Sequence, residues 1–146
     1  MINFNKYKTK YHYNDGDSIF IIYYKNQIFK GEAFCHSEDL DMASERVGLT
    51  IAEARANIAV MRFIRDFEIK PQLKILQRLY SNMQNSKYYN SKSYESKMLR
   101  KQIGVIRKEL TAINNDIADE QQFIKDYING KDTLYKKLRG SRPNNS

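Results

Sequence analysis

Leu99-Arg100-Lys101-Gln102-Ile103-Gly104-Val105-Ile106-Arg107-Lys108-Glu109-Leu110-Thr111-Ala112-Ile113-Asn114-Asn115-Asp116-Ile117 is the stretch on which the fold turns. Its apolar residues Leu99, Ile103, Ile106, Leu110, Ile113 and Ile117 recur on alternating steps of four and three. Ile124 and Tyr127 continue the series, with Glu120 the only polar break. Side chains three and four apart share one face of an α-helix, so the spacing predicts a long helix over 94–129 carrying a narrow apolar seam. Asn129-Gly130 stops it, because glycine accepts the left-handed conformation in which helices end. A seam of this length stays wet unless another helix covers it.

The chain supplies a candidate cover. Val47, Ile51, Ala54, Ile58 and Met61 repeat at the same spacing, and the stripe resumes at Ile69, Leu73, Leu76, Tyr80 and Met83. The interval from Met61 to Ile69 is one residue longer than a heptad, and Pro71 just beyond it removes a helix hydrogen bond. The pattern reads as one helix over 42–84 kinked near Pro71, or as two helices with a tight joint there. The acidic junction Ser37 to Asp41 suits its N-terminal end. Between the two helices, residues 85–93 (Asn85-Ser86-Lys87-Tyr88-Tyr89-Asn90-Ser91-Lys92-Ser93) are polar and aperiodic, a connector. Folding antiparallel through this connector would bury the seam within one chain. A coiled coil between copies, including a homodimer, would bury it as well, and the sequence leaves the two open.

Residues 1–36 read as β. Asp15-Gly16-Asp17 and Lys25-Asn26-Gln27 are turn signals, Asn26 being able to take positive φ. They bracket Ser18 to Tyr24, a β-branched and aromatic run, and Ile28 to Cys35 returns beside it. Tyr7 to Tyr13 adds a third strand. So small a sheet needs a helix or another copy to pack on, and the small residues Gly48, Ala52, Ala54, Ala56 and Ala59 offer a close-packing surface. The expected fold class is α+β: a small N-terminal antiparallel sheet, then a long antiparallel helical hairpin of coiled-coil type, with a basic tail at 130–146. A length of 146 residues suits one domain.

Charge is unevenly spread. Residues 62–108 hold 12 Lys+Arg against 3 Asp+Glu, whereas 1–61 hold 7 against 8 and 109–146 hold 6 against 6. The excess therefore falls around the connector, and a folded-back hairpin gathers it at one pole. Lys70, Lys74 and Arg78 share one helix face; Lys97, Arg100, Lys101, Arg107 and Lys108 line the opening of the second helix. Tyr80, Tyr88, Tyr89 and Tyr94 lie among them. Cations to neutralise phosphates, with aromatics to stack on bases, make the composition of a nucleic-acid surface, and the same charges would suit an acidic protein face. The plain alternative is a solvated surface, with Tyr80 in the core stripe.

Other constellations carry less. His12, Cys35, His36 and Asp39, with Asp41, hold every histidine and the single cysteine, and they form the one set able to hold zinc. Their spacing matches no ligand rule, and Cys35 and His36 point to opposite faces of a strand, so neither a metal nor another cofactor is expected. The six glycines are scattered with no phosphate-cradling loop. Asp116, Asp119 and Glu120 suit a solvated helix face, so no enzyme is expected. A lone cysteine excludes an internal disulfide framework and fits a reducing cytosol. No run approaches the roughly 18 apolar residues of a membrane span, and Met1 to Lys6 has no apolar core of a secretory signal.

Gly31-Glu32-Ala33-Phe34-Cys35-His36-Ser37-Glu38-Asp39, followed by Ser44-Glu45-Arg46-Val47-Gly48 and Ile51-Ala52-Glu53-Ala54-Arg55-Ala56, resembles a pattern in small accessory proteins of phages and prophages. In those proteins a strand ends in Cys-His plus acids and leads straight into a long helix. Some of them are counted among anti-CRISPR inhibitors of type II RNA-guided nucleases. Over residues 28–60 the resemblance implies an inhibitor working in the cytoplasm of a bacterial host, whose partner is the CRISPR effector nuclease or its RNA or DNA. It would block nucleic-acid binding or guide loading. The rivals are a sequence-tolerant nucleic-acid-binding accessory protein and a coiled-coil scaffold or assembly protein.

Overall fold

The structure is a computed structural model and describes residues 7–34 and 42–129. Three strands, β1 (Lys8–Asn14), β2 (Asp17–Tyr24) and β3 (Gln27–Phe34), form an antiparallel sheet in the order β1-β2-β3. Both hairpin turns have two residues with positive φ: Asp15 at 48° and Gly16 at 89°, then Lys25 at 49° and Asn26 at 62°. Left-handed pairs twist in the sense that right-twisted strands require. Asn26 behaves as its sequence suggests, while Lys25 is held left-handed by the turn rather than by its own preference.

The chain divides into two compact units, residues 2–61 with 117–146 and residues 62–116. In the first, the sheet packs on helix α1 (Met42–Ile64). Alternate residues Ser18, Ile22 and Tyr24 of β2 are buried, and Ser18 pairs across the ladder with Ala33, Phe20 with Gly31. A β-carbon on Gly31 would run into the Ala52 carbonyl and the Ala56 amide of α1, so strand and helix meet backbone to backbone. Ala52 and Ala56 are 0% exposed, which is why this helix carries alanine where it faces the sheet. Arg55 donates a hydrogen bond to the Glu32 carbonyl at 2.6 Å beside that contact. Ala33, Val47, Ile51, Ala52 and Tyr127 form the core, with Phe20 and Ile124 against it.

Residues 65–69 form a π-helical turn between α1 and α2 (Lys70–Gln84). There the Lys70 amide bonds to the Arg65 carbonyl, five residues back instead of four. A π turn absorbs one extra residue, which is the slip between Met61 and Ile69; both are buried. The irregularity therefore falls ahead of Pro71. Pro71 follows directly as the second residue of α2.

Helix α3 spans Tyr94–Asn129. Within residues 62–116 three side-chain contacts tie its first part to the preceding helical segment: Ser96 Oγ to Met83 Sδ, Arg100 Nη1 to Tyr80 Oη, and Arg65 Nη1 to Asn114 Oδ1, each at 3.3 Å. As one partner moves back along the chain the other moves forward, so these two segments run antiparallel. Ile69, Ser96, Ile103 and Ile113 are buried, and Leu73, Leu76, Tyr80, Met83, Leu99, Ile106 and Leu110 are half-buried along the seam. The connector is a chain of turns. Tyr89 and Ser93 amides bond to the Ser86 and Asn90 carbonyls, and the Lys92 amide to the Asn90 side chain at 2.9 Å. Ser93 Oγ then caps α3 by accepting from the Ser96 amide. The basic tail and the metal candidates Cys35, His36, Asp39 and Asp41 lie outside the described residues.

Candidate functional site

All ten residues singled out for partner binding belong to residues 62–116. This unit holds 12 Lys+Arg against 5 Asp+Glu, while the remaining residues hold 13 against 12. Lys70, Lys74, Arg78, Lys97, Arg100, Lys101, Arg107 and Lys108 are all exposed, and so is Tyr88. Tyr89 is not. It is half-buried, with its hydroxyl 3.1 Å from that of Tyr80.

Helical geometry sorts the charges further. With about 100° between successive residues, Arg100 and Arg107 border the α3 seam on one side, and Lys97, Lys101 and Lys108 follow outward to the crest. Glu95, Gln102, Glu109 and Asp116 border the opposite side. On α2, Lys70 and Lys74 lie on the flank that shares a face with Arg100 and Arg107, since equivalent flanks of antiparallel helices face the same way. The Arg100–Tyr80 contact spans that face. Arg78 sits on the outer crest of α2. The other face carries Ile75 (59% exposed) and Leu79 (50%) beside the acidic row. The sequence pattern places cations near the connector but misses this division into a basic and an apolar-acidic face. The signal was present in the residues flanking the seam, read as edges.

Hydrogen bonds hold the tip of the basic face. The Tyr80 and Tyr89 rings meet edge-on at 6.5 Å between centroids. Hydrogen bonding from Tyr89, and then from Arg100, favours the ionised phenol and lowers the Tyr80 pKa below its ordinary 10.0. The same contact raises that of Arg100. Tyr88 and Tyr94 are 83% and 73% exposed, with Lys87 Nζ 5.5 Å from the Tyr88 ring centroid. Further along α3 an open depression of about 360 Å³ is lined by Arg107, Lys108, Thr111, Ala112 and Asn115.

Near the π turn, Asp66 accepts from Arg65 at 2.9 Å and faces Lys70 Nζ at 3.3 Å. The Arg65 hydrogen bond lowers the Asp66 pKa. Of the metal candidates only His12 is described: it is exposed on β1 opposite Ile19, and among the described residues no group of three His, Cys, Asp or Glu could hold a metal. No helix among the described residues is long and apolar enough to cross a membrane. Comparison with family models, curated proteins and solved structures finds no match.

Proposed function

We propose that this chain is a non-enzymatic binding protein that engages a nucleic acid through the basic face of residues 62–116. The observation that carries the reading is the segregation on α3, with Arg100 and Arg107 on one flank of the seam, Lys97, Lys101 and Lys108 over the crest, and Glu95, Glu109 and Asp116 on the other flank. A merely soluble helix gains as much from mixed charge, whereas a one-sided array concentrates potential against a polyanion. The exposed rings of Tyr88 and Tyr94 among the cations favour nucleic acid over an acidic protein groove, because they add stacking that a carboxylate surface cannot use.

The test is fluorescence anisotropy with a labelled RNA oligomer over a salt series. Binding should weaken steeply with salt, and replacing Lys97, Arg100, Lys101, Arg107 and Lys108 by Gln should flatten the log–log slope by roughly 3.5, at about 0.7 per phosphate contact. No binding, or an unchanged slope in the variant, overturns the reading.

The narrower reading is that this contact inhibits a type II RNA-guided nuclease in the host cytoplasm, by occupying guide RNA or the channel that receives it. It rests on the resemblance over residues 28–60. A purified nuclease should lose target cleavage when this chain is added before the guide. Full cleavage at a large molar excess rejects it.

A further inference from the structure

Gly104 lies inside a 36-residue helix, where glycine is disfavoured because it loses the most backbone freedom. Among the described residues nothing uses its lack of a side chain: a β-carbon built there meets none of their atoms within 4 Å. Its four nearest neighbours on the helix surface are the residues three and four positions away on either side. These are Arg100, Lys101, Arg107 and Lys108, all exposed and all cationic. A bare stretch of helix backbone ringed by four positive groups is a seat for a compact anion that must come close.

Resting on the nucleic-acid reading above, we propose that this ring seats a backbone phosphate of single-stranded RNA, whose unpaired bases stack on Tyr88 and Tyr94. Tyr94 lies in the same row as Lys101 and Lys108, about 15 Å along the helix from Gly104. That span suits a strand running toward the tip. Exposed rings gain nothing from a duplex, which hides its base faces, but each offers a platform to an unstacked base. The depression continues the track in the other direction past Thr111 and Asn115. Their hydroxyl and amide can both donate to and accept from a ribose 2′-hydroxyl, which DNA lacks. Contacts to phosphate, ribose and base faces carry no base identity, so recognition is sequence-tolerant.

The experiment compares a mixed-sequence single-stranded RNA oligomer with the same RNA annealed and with DNA of that sequence, using the full chain. The single RNA strand should bind about tenfold tighter than either competitor. Gly104→Leu should leave thermal stability undiminished while weakening that binding about tenfold. Tyr88→Ala and Tyr94→Ala should each weaken it about fivefold to tenfold with the salt slope unchanged and duplex binding unaffected. Equal binding of duplex or DNA overturns the inference. So does salt-sensitive binding indifferent to Gly104→Leu, and in both cases the broader phosphate-binding reading survives. If no probe binds, both fail.

Discussion

Two glycines separate the two regions of this molecule. Gly31 is where β3 lies on α1, and any larger residue meets the Ala52 and Ala56 backbone. Gly104 opens onto empty space in the middle of a helix. One is required by the fold and the other by nothing among the described residues. The surroundings agree. In the first region Ile22, Ala52, Ala56 and Val60 are all at 0% exposure. Residues 62–116 bury only a thin seam and present cations over one flank and the outer crests. The first region spends its composition on packing; the second leaves most of its surface available for contact.

That contrast can be broken most directly at Gly31. Gly31→Val should destabilise the chain by more than about 4 kcal/mol in urea unfolding, since backbone on both sides cannot retreat. A folded Gly31→Val protein of ordinary stability would mean that sheet and helix are not in backbone contact. Within the hairpin, Ile103→Ala should cost about 3 kcal/mol, because Ile103 is buried in the seam. Ile75→Ala, on the exposed apolar side, should change stability by less than about 0.5 kcal/mol. Equal losses would show that Ile75 is covered in solution. Next, Gly104→Ala should raise stability by about 0.5–1 kcal/mol, the opposite sign from Gly31. A loss at Gly104 would remove the distinction between the two glycines.

The smallest effect is spectroscopic. Tyr80 should ionise at lower pH than an ordinary tyrosine in an alkaline absorbance titration, because the hydrogen bond from Tyr89, then that from Arg100, favours its phenolate. Tyr89→Phe should move this ionisation back up, and Arg100→Gln should do so to a lesser extent. An early ionisation that persists in Tyr89→Phe would show that the hydroxyl pair is not what holds the connector to α2.

Before the connector, the apolar stripe from Val47 to Met83 was readable as helix, and its one-residue slip between Met61 and Ile69, just ahead of Pro71, was visible in the spacing. The spacing did not show the form of the irregularity: the extra residue is taken up as a π turn at 65–69, which needs no special residue type. The basic cluster was readable as a density of Lys and Arg along the chain. Its spread over one flank and the crests was not, because that depends on which edge of each helix turns toward the other, and on Tyr89 being drawn into a hydrogen bond while Tyr88 stays exposed.

By itself, then, the amino-acid order determined the element boundaries, the seam on α3 and the concentration of charge near the connector. These follow from periodicity and turn chemistry, which act over a few residues. Only the tertiary structure decided that Gly31 admits no side chain while Gly104 has room for one, and which cations share a surface. Both depend on what segments distant in sequence bring alongside, and local pattern carries no term for that.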